Sequence, residues 1–348
     1  MSTWTIYPLS VFVNVLAGLA ISIVGAPVMI GLAKRIGLMD VPGSLPHKKH
    51  DRPIPLAGGM TLILVLIVGG VVLNWSMLRE LWRILLPALM VFALGIWDDF
   101  FRLPAWLKLL GQILATGLLI SLGTYVQIFP AGVFGISSTV SLYVNLLITL
   151  LWVVGVTNAF NFIDSMDGIV VGIAGIALAF LVLVTFNSSQ VALLRLITLM
   201  LGACIGLFFH NMTPSRLFLG DSGAQTIGFL LSVIAILYTP DRLPQAASWF
   251  LPILVLGVPI FDTCLVVFSR LKRNKPVYLA GRNHTYHRLV NLGLDSNRAV
   301  AVMHLAGITL GCIAFIALHL TPVLANLLFA STLLAGMAIY IFLERKAG

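Results

Sequence analysis

Apolar residues run along this chain in long blocks, broken by short polar stretches, with neither a two-residue nor a lone-face helical alternation. A membrane-crossing helix needs roughly 20 apolar residues, because the hydrocarbon core is about 30 Å thick and each residue rises about 1.5 Å. Blocks of that kind fall at 6–33, 56–73, 81–97, 106–122, 140–162, 169–186, 191–209, 224–237, 249–267, 299–318 and 322–343. They predict an all-α polytopic membrane protein of about eleven transmembrane helices, one integral domain over residues 1–348. The first block is too long for a signal-peptide core and has no basic residue before it, so it reads as a retained span. Pro252 and Pro259 predict a kink in the ninth, and the uncharged stretch 126–139 reads as a loop or short hairpin.

Composition agrees. The chain is 59% hydrophobic and only 9% charged, with a formal net charge of +9 and a mean hydropathy of +1.05. The basic excess is no sign of nucleic-acid binding. With the spans above, every Lys and Arg except Arg79, Arg83, Arg195 and Arg242 falls on one side. The positive-inside rule makes that side cytoplasmic, with the N-terminus outside and the C-terminus inside. The chain is therefore read as a multi-pass protein of a plasma or inner membrane. Cys204, Cys264 and Cys312 lie in apolar blocks without metal or disulfide spacing and read as packing residues.

The acids carry the chemistry. All but Glu80 and Asp241 share the basic side, and charge rules for topology do not explain that. Asp98 and Asp99 close the third block in "GIWDDF", although a helix C-terminus disfavours negative charge. Adjacent helical residues point about 100° apart, so the two carboxylates predict different roles. In "NAFNFIDSMDG", Asn158, Asn161, Asp164 and Asp167 recur at every third position where a helix gives way to a turn. Amide and carboxylate oxygens are hard ligands suited to magnesium or manganese. Hydrogen bonding between helices is the other use of a buried amide, and it accounts for Asn158. "FFHNMTPSRLFLGDSGAQ" adds Asn211, Phe218 and Asp221; its glycine-rich end is not a Walker loop.

Opposite the acids stand basic and imidazole groups: Lys48 in "HKKHDRPIPLAGG", Lys108 in "WLKLLGQ", and His284, His287 and Arg288 in "HTYHRL". Together they point to an anionic ligand bridged to the acids by a metal. Lipid headgroup contact and a His-x-x-His zinc site are the alternatives, the latter lacking a third ligand. Asp262, inside the ninth block, is an intramembrane acid and so a functional candidate. An ion-coupled transporter would place such acids near the midplane, often within inverted repeats. Here they gather on one face without a repeat, which favours an enzyme at the cytoplasmic helix ends and loops.

The ordered set "HKKHDRPIPLAGG", "DDF" followed by Lys108 and Gln112, "NAFNFIDSMDG", "FLGDSGA", "PIFD" and "HTYHRL" resembles the polyprenyl-phosphate N-acetylhexosamine-1-phosphate transferases of glycosyltransferase family 4. The resemblance covers nearly the whole chain. It implies a magnesium-dependent enzyme that passes sugar-1-phosphate from a UDP-sugar to a polyprenyl phosphate and releases UMP, at the start of cell-wall or surface polysaccharide synthesis. N-acetylglucosamine is the sugar it favours, with the phospho-N-acetylmuramoyl-pentapeptide transferase as alternative. By the same resemblance Asn161 and Asp221 are metal ligands, Asp98, Asp99 and Asp164 catalytic acids, and Asp167, Asn211 and Phe218 readers of the nucleotide. Lys48, Lys108, His284, His287 and Arg288 take the phosphates. The chain departs from the family where Tyr286 replaces a His of the usual His-x-His-His-Arg, where His47-Lys48-Lys49-His50 replaces Arg-Lys-x-His, and where the pentapeptide enzyme's consecutive His triplet is absent. These changes leave the sugar open; the carrier length, the pathway and whether the protein forms a homodimer are not given by the sequence.

Overall fold

The computed structural model describes residues 6–42, 52–129, 137–186, 188–238, 248–276 and 283–346. Lys48, Lys49, His50, Asp241, Arg242, Arg282 and the middle of the 126–139 loop lie outside these residues. The fold is helical: α1 Ile6–Ile36, α2 Gly58–Leu73, α3 Trp75–Phe101, α4 Ala105–Ser121, α5 Ser138–Ile163, α6 Ile169–Thr185, α7 Val191–Asn211, α8 Gly220–Leu237, α9 Leu251–Val255, α10 Gly257–Lys272, α11 Thr285–Asn291, α12 Ser296–Ala317 and α13 Pro322–Lys346. Two short strands, β1 Met39–Asp40 and β2 Ile54–Pro55, pair antiparallel. Among the described residues seven helices (α1, α3, α5, α7, α8, α12 and α13) are long and apolar enough to cross a membrane, and α2, α4 and α6 are shorter apolar helices. The chain is an all-α polytopic membrane protein with broad apolar flanks on the outside of the bundle.

Three predicted boundaries differ. The third helix starts at Trp75, not 81, because Arg79, Glu80 and Arg83 interrupt the hydropathy without interrupting the backbone. The ninth block is not one kinked helix. It breaks at Leu256 into α9 and α10, leaving Pro252 and Pro259 in the first turn of each, where a proline's missing N–H has no helical partner to lose. The eighth begins at Gly220, not 224, so Asp221 sits in its first turn and not in a loop. Of the cysteines only Cys204 is packed inside; Cys264 and Cys312 are exposed on their helices.

Small residues let the helices approach. A Cβ on Gly202 of α7 would come 2.1 Å from the Val15 carbonyl of α1, and Ser22 donates to the Ala203 carbonyl at 3.2 Å across the same seam. Such crossings replace the hydrophobic drive that lipid removes. The most enclosed helix is α8, packed by α3, α5 and α2. Segment 124–129 is tied to α5, with Val126 N donating to Thr149 Oγ1 at 2.9 Å and Asn145 bonding both polar groups of Phe129.

Candidate active site

The chain runs up and down the bundle, so the ends of α3, α5 and α7 meet the starts of α4, α6 and α8. Asp98 lies in the last turn of α3 and is nearly fully buried. Its Oδ1 accepts from Leu103 N at 2.6 Å, in the turn that Arg102 makes with a left-handed φ of 52°. Its Oδ2 pairs with the Lys108 ammonium. The same ammonium is 2.6 Å from Asp221 Oδ2, so Lys108 stands between the two acids. Asn161 and Asp98 are also within hydrogen-bonding reach of the Asp221 carboxylate. Asp99 points elsewhere: its oxygens accept from Asp221 N at 2.7 Å and Ser222 N at 3.2 Å.

Asp164 is the C-cap of α5, and Gly168, with φ of 74°, turns the chain into α6. Burial pushes the Asp164 carboxyl well above the usual carboxylate range, and the negative charges of Asp221, Asp99 and Asp167 push the same way. Asp164 therefore lies within electrostatic reach of three other acids, carried by the end of α3, the start of α8 and its own turn. Asp167 is at the rim of this group and accepts from the Thr213 hydroxyl at 3.2 Å.

A buried amide chain lies beneath. Asn158 donates to the Val154 carbonyl at 2.8 Å and to Gln112 Oε1 at 2.5 Å; Gln112 donates to Gln225 Oε1 at 3.0 Å; Gln225 reaches Asp221 Oδ2 at 3.4 Å. Asn158 does bond between helices as expected. Gln225 was missed, although an amide inside an apolar block is a signal of such bonding.

The 212–219 segment is strapped to the entry of α2. Phe218 N donates to the Pro55 carbonyl at 2.9 Å, Gly58 N to the Phe218 carbonyl at 3.0 Å, and Arg52 to the Ser215 carbonyl at 3.2 Å. The Pro-rich "RPIPLAGG" thus holds Phe218, half-buried, beside the start of α8. Asn211 is a strut: Gly168 N donates to its Oδ1 at 3.0 Å and its Nδ2 donates to the Leu217 carbonyl at 2.9 Å.

The imidazole group forms a separate network. Asp262, fully buried in α10, bonds His284 Nδ1 at 2.7 Å and accepts from Thr285 N at 2.6 Å, which fixes the start of α11. Tyr286 hydroxyl bonds His287. Arg288 pairs with Glu344 at 2.7 Å, and Glu344 also takes Arg273 at 3.0 Å. Arg288 Nη2 is buried and without a hydrogen-bond partner among the described residues. Glu344 had no sequence signal, being one acid near a basic C-terminal end.

Among the described residues no three His, Cys, Asp or Glu side chains converge as a ready metal cage. Magnesium does not ask for one. It commonly takes one or two carboxylates and fills its octahedron with waters and substrate phosphates. The Asn161 and Asp221 oxygens fit that use, and a cation there would offset the crowding of negative charge felt at Asp164.

The family model of glycosyl transferase family 4 matches residues 81–239, the stretch from α3 to the end of α8 that builds the acid cluster. A probable undecaprenyl-phosphate N-acetylglucosaminyl 1-phosphate transferase of Bacillus subtilis is 29% identical over 284 residues, 81% of this chain and 77% of that protein. A decaprenyl-phosphate N-acetylglucosaminephosphotransferase of Mycobacterium tuberculosis is 27% identical over 318 residues, 82% and 76% of the two chains. Similarity to a phospho-N-acetylmuramoyl-pentapeptide-transferase of Levilactobacillus brevis is 30% over 210 residues, but spans only 55% of this chain and 63% of the other.

Proposed function

We propose that the chain belongs to glycosyl transferase family 4, whose model matches residues 81–239, and that it transfers N-acetylglucosamine-1-phosphate from its UDP-sugar to a polyprenyl phosphate, releasing UMP, the reaction that the names of its relatives suggest. The observation that carries this is the gathering of Asp98, Asp164, Asp221 and Lys108 at one end of the bundle. The basic asymmetry of the sequence supports a cytoplasmic site, with eleven apolar segments, the N-terminus outside and the C-terminus inside.

Phosphoryl transfer asks a protein mainly for positioning and charge neutralisation. The acceptor, a phosphomonoester with a second pKa near 6, is already largely dianionic at neutral pH and needs little help from a base. Asn161 and Asp221 would hold magnesium, or manganese, with the oxygens of the donor's diphosphate. Such a cation, when bound, neutralises that diphosphate and stabilises the leaving UMP. Lys108 brings a positive charge to the same place and Asp98 orients it. Asp164 lies beside the reacting groups. Asp167 at the rim and the half-buried Phe218 ring read the uracil, and Asn211 keeps their two loops in register. His284, held by Asp262, together with His287, the unpaired Nη2 of Arg288 and Lys48, would take the remaining phosphate oxygens.

The test is to incubate purified protein with undecaprenyl phosphate, magnesium and a panel of UDP-sugars, following UMP and the lipid product. UMP should appear with UDP-N-acetylglucosamine, and labelled UMP should exchange back into UDP-sugar when lipid product is present. An ion-coupled transporter would do neither. Absence of release and exchange with every donor, beside an active control enzyme, overturns the proposal.

A further inference from the structure

We propose that Asp99 is a positioning residue: its carboxylate caps the first turn of α8 from a different helix and thereby fixes Asp221. The role of Asp221 rests on the transferase reading above; the cap does not.

The first backbone N–H groups of a helix have no partner inside it. At α8 the residue before the helix is Leu219, whose apolar side chain makes no cap. Asp99, at the end of α3, fills that place. Its two oxygens accept from Asp221 N at 2.7 Å and Ser222 N at 3.2 Å. Hydrogen bonds from amides to a charged acceptor are about twice as strong as neutral ones, and the positive end of the helix dipole favours the carboxylate further.

Two glycines make the approach possible. Gly220 has φ of 70°, in the region that favours glycine, and a Cβ there would lie 2.6 Å from Asp99 Oδ2. Gly95 precedes Asp99 by one turn on the same face of α3; a Cβ on it would lie 2.4 Å from Ser222 Cα. The backbone of α8 therefore rests directly on α3 at the level of the cap. Asp98 and Asp99 divide the work that their divergent directions predict. Asp98 meets Lys108 and the reacting region, while Asp99 spends both oxygens on the backbone that carries Asp221.

The experiment compares full-length Asp99→Asn, Asp99→Ala and Gly220→Ala with the native protein in nanodiscs. Hydrogen exchange should rise at least about tenfold in the peptide covering the first turn of α8 in Asp99→Ala and Gly220→Ala, with the other helices unchanged. Asn keeps one accepting oxygen, so Asp99→Asn should retain about tenfold more kcat/KM than Asp99→Ala. All three should need more magnesium for half-maximal rate, because Asp221 is displaced. Should Asp99→Ala not fold, Asp99→Asn and Gly220→Ala carry the comparison. If exchange in α8 is unchanged while Asp99→Asn is as inactive as the alanine variant, the carboxylate works on the substrate and the proposal falls. If native protein releases no UMP from any UDP-sugar, the transferase reading fails, and the exchange data alone still decide the cap.

Discussion

Lys108→Met tests the charge balance of the site. The substitution keeps an apolar stem of similar length and removes the ammonium from between Asp98 and Asp221. The Asp98 side chain is 4% exposed and that of Asp221 28% exposed, so water cannot replace the lost partner fully. Two like charges about 4 Å apart at an effective dielectric near 20 repel by roughly 4 kcal/mol. Breaking one side of a buried pair costs about 3–5 kcal/mol by direct measurement on other proteins. These describe the same effect, so the loss expected in cation-free protein is about 3–4 kcal/mol. At about 2 °C per kcal/mol for a chain of this size, unfolding should shift down by roughly 6–8 °C. Magnesium should narrow the gap, since a ligand at a hundredfold over its Kd adds about 2.7 kcal/mol, and a cation between the acids substitutes for the lost ammonium. Thermal unfolding followed by tryptophan fluorescence in detergent, with chelator and with a magnesium series, reads both effects. Equal midpoints in chelator, or a gap that magnesium leaves untouched, would refute the reasoning.

Asp221→Asn keeps size and loses the charge a cation needs, so kcat/KM should fall at least about a hundredfold, about 2.7 kcal/mol of transition-state stabilisation; normal turnover at low magnesium would remove Asp221 from the metal. Asp262→Asn replaces the charged acceptor of His284 and Thr285. Each such bond contributes about 1.5–3 kcal/mol, and steady-state kinetics should show a rise in the UDP-sugar KM of at least about tenfold; unchanged kinetics would detach the α11 network from the reaction. In protein stripped of its three native cysteines, a cysteine at Arg102 should label only from the cytoplasm and one at Gln127 only from outside; external labelling at Arg102 would invert the orientation.

Much of this was legible because lipid imposes long apolar runs, and because charge so rarely interrupts them. Every apolar block but the ninth, which splits into two helices, became a single helix, and the acids of "WDD", "NFIDSMD" and "LGD" came together where the blocks end. What escaped depends on distant partners. The start of α8 could not be read at Gly220, since its cap is supplied by Asp99, far away in the chain. The break at Leu256 was hidden because each proline begins a helix there, where it disturbs nothing. The Arg288–Glu344 pair joins residues 56 positions apart, and no spacing rule connects them.

The oddest feature of the sequence was a pair of acids at the C-terminal end of α3, where the helix dipole opposes negative charge. The structure resolves the conflict by bringing two other helices to that end. Lys108, in the first turns of α4, answers Asp98, and the amides that open α8 answer Asp99. The favourable end of one helix dipole offsets the unfavourable end of another. Neither acid of the pair is balanced by its own helix, so their partners are in place only when α3, α4 and α8 have packed. Each compensating group comes from a different apolar segment, and a shift of one helix along its neighbour would leave a carboxylate unpartnered beside hydrocarbon, at a cost of several kcal/mol. The same electrostatics that builds the site thus also fixes the register of the helices around it.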